Sequence, residues 1–186
     1  MTTPLRPGFW RDTPLADMTQ AEWEAVCDGC GKCCLHKLED ADTGHIVHTE
    51  VACRYLDVRT CTCTEYERRG TVNPECVQLT PDEAATLRWL PPTCAYRLLA
   101  RGEPLPWWHP LVAGDEQAVH RAGASVCGHG MAEPGLLATL RAAWSGGRRR
   151  ALREDEAGDL EDHIVDWPED ETVDDFPPPD DGEGGA

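Results

Sequence analysis

The sequence holds no run of about 18 consecutive apolar residues, so nothing in it reads as a membrane helix. Its opening, MTTPLRPGFW, lacks the basic, apolar and small-residue succession of a secretory signal, which makes the cytoplasm the expected location. No Gly-rich phosphate loop, Gly-x-Ser-x-Gly elbow or His-Glu-x-x-His helix occurs, so the usual signatures of nucleotide, serine-hydrolase and zinc-protease chemistry are absent. There is no internal repeat, and no Lys or Arg follows Arg153. Fifteen of the 34 acidic residues lie beyond that point, so the 17 Lys and Arg face nineteen acids in residues 1–153, which net only −2. An acidic end of this kind repels phosphate backbones and excludes nucleic acid as the expected partner. Its Pro, Gly and acidic content buries too little apolar surface to offset folding entropy, which predicts a largely disordered tail over 154–186.

What the 186 residues do have is ten cysteines. In a reducing compartment thiols are not kept as structural disulfides, so this density points to metal ligation or redox chemistry. Cys27, Cys30 and Cys33 follow one another at two-residue intervals, which resembles the leading part of a bacterial ferredoxin run. A single such pair fits zinc as readily as iron, whereas three in a row suit a cluster with several metal corners. Cys34 breaks the spacing and is open to another corner, another centre or no ligand role. Cys53, Cys61, Cys63, Cys76 and Cys94 supply the remaining candidate ligands. Nine thiols between Cys27 and Cys94 allow two four-ligand sites with one left over, or one cluster with spare thiols. Cys127 stands apart and reads as a small buried residue. His36, His109 and His129 are candidate substitutes at a corner, and Asp28, Glu65 and Glu67 candidate acids or bases that nothing in the spacing separates.

Between these residues the chain punctuates itself. Thr19-Gln20-Ala21-Glu22 has the form of a capping box, predicting a short helix whose Trp23 and Val26 face is covered by Leu15 and Met18. Gly29 and Gly31 supply the dihedrals that let residues 27–34 fold thiolates inward as a loop. A strand is predicted over 44–49, after an Asp-Thr-Gly turn. Thr80-Pro81-Asp82-Glu83 starts a helix that stops by Leu90, and a second runs from Thr93 to Leu99, ended by Gly102. The stretch GEPLPWWHPL packs aromatics without a regular element, and a helical pattern over 133–144 precedes the basic run at Arg148 to Arg150 and Arg153, which either pairs with the tail or is solvated.

These residues together resemble the YcgN/YkgJ cysteine-cluster family of bacterial proteins, with its Cys-x2-Cys-x2-Cys-Cys motif, and most of all its YcgN branch. The resemblance rests on Phe9-Trp10, Glu22-Trp23-Glu24, the block CDGCGKCCLHKLED, Val51-Ala52-Cys53-Arg54, Cys61-Thr62-Cys63 with Tyr66-Glu67-Arg68-Arg69, and Trp89-Leu90-Pro91 through Leu99. It implies a domain described as a zinc or iron chelator. A related cluster in flagellin lysine methylases adds an enzymatic possibility. Cys127 and residues 131–158 depart from the family pattern before Asp162-His163-Ile164 resumes it.

The expectation is therefore a small, mostly helical, irregular α+β domain stapled by metal. A flexible N-terminus would cover 1–8, the metal domain 9–130, an inserted helix and basic linker 131–153, and the acidic tail 154–186. An iron–sulfur cluster with a redox or sensing role is favoured, and the alternatives are a structural zinc module or a cluster-dependent enzyme. An unidentified protein or redox partner, rather than membrane or nucleic acid, would meet it.

Overall fold

In the computed structural model, residues 4–126, 151–155, 157–165 and 172–179 are described, and all structural statements concern these. Seven short helices, none longer than six residues, are spread over the first 126 residues: α1 (Phe9–Asp12), α2 (Gln20–Ala25), α3 (Arg69–Val72), α4 (Pro81–Thr86), α5 (Ala95–Ala100), α6 (Pro110–Ala113) and α7 (Ala118–Arg121). Helices this short are unstable alone, so caps and packing hold them. Both predicted capping boxes form, with Thr19 accepting from Glu22 N–H and Thr80 from Glu83 N–H while each glutamate reaches back. Pro81 occupies the first turn of α4, which ends at Thr86, four residues before the expected limit. Helix α5 begins at Ala95, two residues after the expected start at Thr93, with Cys94 in the N-cap position, and Gly102 follows that helix at φ 72°.

The predicted strand is β2 (Ile46–Ala52), at the centre of a small sheet. It pairs antiparallel with β1 (Leu35–Glu39), which begins directly after the cysteine motif and which the sequence reading missed. Two later strands join β2, β5 (Leu152–Arg153) in parallel and β6 (Ile164–Val165) antiparallel. A second ladder joins β3 (Leu56–Asp57) to β4 (Thr62–Cys63). This is an α+β fold. No helix among the described residues is long and apolar enough to cross a membrane.

The interior is divided into three small apolar clusters. One gathers Leu35, Ala52, Leu56, Val58, Val126 and Ala151. A second gathers Phe9, Val26, Ala84, Ala95, Tyr96 and Leu105, with Trp23, Leu15 and Met18 against it as the helical pattern predicts. The third holds Trp108, Ala118, Val119, Ala124 and Phe176. The Trp-rich stretch is irregular up to His109, where α6 begins, and Trp108 is wholly buried.

Within the acidic C-terminal stretch, two segments dock on this framework. β6 lies along β2, and Phe176 is 4% exposed against Trp108, its carbonyl accepting from Trp107 Nε1–H at 2.7 Å. Composition hid this because one buried ring suffices to anchor an otherwise polar segment. Arg153, from the basic run, pairs with Asp155 at 3.0 Å. Cys127, His129, the helical pattern over 133–144 and Arg148 to Arg150 lie outside the described residues.

Two outcomes follow for stability. Phe176→Ala costs about 3 kcal/mol in denaturant unfolding, the usual range for emptying a buried Phe site; no change would mean that the segment is undocked in solution. Glu22, 1% exposed, accepts from Arg6 Nε at 2.7 Å and from Thr19 N–H at 3.0 Å, and the Arg6 bond holds its carboxyl well below the usual range. A depressed carboxyl stabilises above its unfolded value of about 4.3 and loses that contribution as pH falls. Stability therefore declines below about pH 4.3, and Glu22→Gln flattens that decline in pH-dependent melts.

Candidate metal centre

The motif is shaped by its own backbone. Helix α2 ends at Ala25, and Asp28 then accepts from the Cys30 N–H at 3.0 Å, closing a tight turn. Gly29 and Gly31 both take left-handed φ, at 73° and 76°, as the glycine spacing predicts. At Gly31 there is a second requirement: a Cβ would lie 2.8 Å from Val126 Cγ2 and 3.3 Å from Cys61 Sγ. Lys32–Cys34 then form one 3-10 turn leading into β1.

Hydrogen bonds carry the other cysteines to this turn. Cys34 O accepts from the Cys53 N–H at 2.8 Å. Cys53 O accepts from the Leu56 N–H, and Leu56 pairs with Cys63 across the β3–β4 ladder. Asn73 Nδ2 donates to Cys53 Sγ at 3.7 Å while its carbonyl accepts from the Cys76 N–H at 3.0 Å. From the far side, Lys32 Nζ donates to Thr93 Oγ1 at 3.2 Å, fixing Cys94 beside the motif. Cys34 packs on the first apolar cluster, Cys94 on the second and Cys30 on the third, so the thiols occupy the junction of all three.

Eight cysteines are free thiols: Cys27 and Cys33 reach the surface, and Cys30, Cys34, Cys53, Cys63, Cys76 and Cys94 are half-buried. The charge of Cys33 acts on Cys27, Cys30, Cys34, Cys76 and Cys94, which puts it at the middle of the group. Packed protein around the sulfurs raises Cys27 and Cys30, with Asp28 adding to both, and raises Cys76. Burial pushes Cys94 up to about 12. Cys33 goes the other way, to about 7, because it shares a hydrogen bond with Cys34, Sγ to Sγ 4.0 Å, and because the Lys37 ammonium is near; the same bond drives Cys34 up. Lys37 is fixed by its bonds to Cys33 O at 3.1 Å and Leu35 O at 2.7 Å.

Cys61 is the exception among the nine expected ligands. It is disulfide-bonded, so the expectation that all nine remain reduced thiols is corrected at this position. It closes the 57–61 turn at φ 57°, rare for a residue with a Cβ, which aims Sγ back to 3.8 Å from Cys30 O and onto the first apolar cluster. Of the candidate histidines, His109 is committed elsewhere. His109 is fully buried, Nδ1 accepting from the Leu111 N–H at 3.1 Å, which leaves Nε2 to donate to Val26 O at 2.8 Å. Both nitrogens are thus engaged, and burial holds the ring neutral. His36 Nε2 stands 3.4 Å from Glu154 Oε2 without a hydrogen bond, in a hollow it shares with Cys53. Glu65 lies near Arg68, at 3.7 Å, and Asp28 sits among the thiols.

A soft, sulfur-rich donor set of this kind suits zinc or iron rather than magnesium or calcium. Among the described residues, no three His, Cys, Asp or Glu side chains already converge at ligand geometry, so thiols must turn inward to close on an ion. Asn73, Thr93, Lys32 and Lys37, which hold the group together, carried no sequence signal, since none belongs to a metal-ligand pattern.

Fold and site define a small α+β domain of the zinc- or iron-chelating kind, built on clustered thiols. Residues 26–95, which contain all nine cysteines from Cys27 to Cys94, match the CxxCxxCC family model, described as "Putative zinc- or iron-chelating domain". The chain is 54% identical over 158 residues to a UPF0260 protein of Rhizorhabdus wittichii, covering 85% of this chain and 94% of the relative. It is 49% identical over 162 residues to one of Gluconacetobacter diazotrophicus (87% and 88% covered) and 58% over 125 residues to one of Marinobacter nauticus (67% and 84%). The chain belongs to the UPF0260 family. No solved structure matches it.

The charge pattern sets the order of thiol reactivity. In metal-free protein, Cys33 is alkylated first as pH rises through about 7, and Lys37→Met moves its profile to higher pH, because the ammonium that favours the thiolate is gone. Mass mapping after timed iodoacetamide pulses reads this, and a profile unmoved by Lys37→Met contradicts it.

Proposed function

We propose that this protein holds an iron–sulfur cluster through its cysteines and serves a redox or sensing role in the cytoplasm, meeting a protein redox partner. The observation that carries the reading is the gathering of Cys27, Cys30, Cys34, Cys76 and Cys94 within reach of the Cys33 charge, led by the tripled Cys-x2-Cys-x2-Cys spacing. A thiolate-bound cluster supplies one-electron chemistry at a potential set by its surroundings. The chain's own part is to hold and tune. Cys27 and Cys33 reach the surface, which leaves an exposed edge for an electron partner. The positive φ values of Gly29 and Gly31 turn the peptide units of the motif back on themselves, and backbone N–H groups presented this way tune sulfur ligands.

Metal would also decide whether the domain is folded. Three small clusters meet around the thiols, and ligation of a structural ion is worth about 10–16 kcal/mol, as much as the whole stability of an ordinary domain.

Protein purified without oxygen is expected to be brown, with iron and acid-labile sulfide in proportion. Stripping the metal with a chelator removes its cooperative melt, and Cys30→Ala lowers the iron content. A colourless protein with stoichiometric zinc and no sulfide overturns the cluster. A metal-free chain that melts as sharply as the loaded one overturns the structural role.

A further inference from the structure

The eight free thiols are not equivalent in how they are held. We infer that they form two adjoining four-thiolate metal sites, one of Cys27, Cys30, Cys33 and Cys94, the other of Cys34, Cys53, Cys63 and Cys76, joined at the Cys33–Cys34 peptide bond. The inference rests on the metal-binding reading above and adds the number of centres and the membership of each.

Separate tethers define the two groups. In the first, three cysteines share the turn built on Asp28 and the two glycines, and the fourth is delivered by the Lys32 Nζ to Thr93 Oγ1 bond, each partner standing next to a group member, Cys33 and Cys94. In the second, Cys34 is bonded through its carbonyl to the Cys53 N–H, and Asn73 joins Cys53 Sγ to the Cys76 backbone. The β3–β4 ladder sets Cys63 opposite Leu56, whose N–H is bonded to Cys53 O. The second group's scaffold uses neither Asp28 nor Thr93 among the described residues, and it meets the first at the Lys32–Cys34 turn, where the Cys34 N–H donates to Gly31 O and the Leu35 N–H to Lys32 O.

Packing divides the same way. Cys34 lies on the apolar cluster of the sheet, whereas Cys30 and Cys94 lie on the two helical clusters. The Asp28 charge acts on Cys27, Cys30, Cys33 and Cys94, and Cys76 feels Arg69, Cys63 and Cys53 as well as Cys33, which stands where the two groups meet. Removal of Cys61 into its disulfide leaves eight thiols, the number two four-coordinate sites consume. Cys33 and Cys34, 4.0 Å apart at sulfur, are adjacent in sequence and belong to different tethers, which makes the sites neighbours.

Cobalt(II) reports four-thiolate sites through its sulfur charge-transfer and ligand-field bands, whether the native occupant is zinc or an iron–sulfur cluster. Titrated anaerobically, the full-length protein is expected to saturate at two equivalents. Cys94→Ala and Cys76→Ala should each saturate at one, and the equivalent retained shows that the variant still folds. Combining Cys30→Ala with Cys94→Ala should still leave one, because both losses fall in one site, while Cys61→Ala keeps two. Saturation of the wild type at one equivalent, or loss of both equivalents in either single variant, overturns the division and leaves metal binding intact. No cobalt bound by the wild type overturns the metal-binding reading itself and this inference with it.

Discussion

The arrangement depends on one buried cation. Lys32, between Gly31 and Cys33, is 1% exposed, and an ammonium removed from water costs several kcal/mol unless its surroundings return the loss. They do so from three directions: Thr93 Oγ1 accepts its proton at 3.2 Å, the ring of Phe176 lies 5.4 Å away, and its charge is felt at Cys30. Each partner comes from a different part of the chain. Satisfying Lys32 therefore brings the motif, the start of α5 and the C-terminal segment to one place, which a purely apolar contact would do with less specificity.

That requirement explains why the domain does without a single large core. Its apolar residues are split among three clusters that meet at the motif, and the thiols fill the seam. A seam of thiols is a poor adhesive by itself, since neutral sulfhydryls make weak hydrogen bonds and small apolar contacts. Closed on a metal, the same seam becomes the strongest set of bonds in the fold. The acidic stretch takes part as well, because Phe176 packs on Trp108 and Glu154 accepts from the Arg54 N–H at 2.9 Å beside Cys53.

Local chemistry was legible in the sequence wherever one residue type has one physical use. Thr19 and Thr80 with glutamate three residues on read as capped helices, and Gly29 and Gly31 as left-handed turns, because these are short-range constraints. The ligand candidates were legible as a set, but not their grouping, which depends on Asn73, Thr93 and the Cys34–Cys53 backbone bond across up to 61 residues. Strand β1 was hidden because His36 and Lys37 interrupt its apolar alternation next to the motif. Cys61 looked identical to Cys63 in sequence, yet a two-residue step around the 57–61 turn sends their sulfurs in different directions. Burial of Lys32 and His109 was invisible for the reason that makes both informative: polar groups enter an interior only when distant partners await them.

The two lysines near the motif also fit the electrostatics of loading. Without metal, burial favours the protonated form of Cys27, Cys30, Cys76 and Cys94, so these crowded sulfurs do not repel one another and the chain can gather them. Each sulfur that binds metal gives up its proton, and four thiolates around a divalent ion leave a net charge of about −2 in a poorly solvated place. Lys32 stands against the site of Cys30 and Cys94, and Lys37, bonded to Cys33 O and 4.7 Å from the Trp89 ring, stands where Cys33 meets Cys34. Each half of the thiol group thus has an ammonium held in advance by backbone, hydroxyl or ring contacts. A cation already fixed in position loses no conformational entropy when the anionic centre forms, and that is the condition under which buried charge favours a bound state.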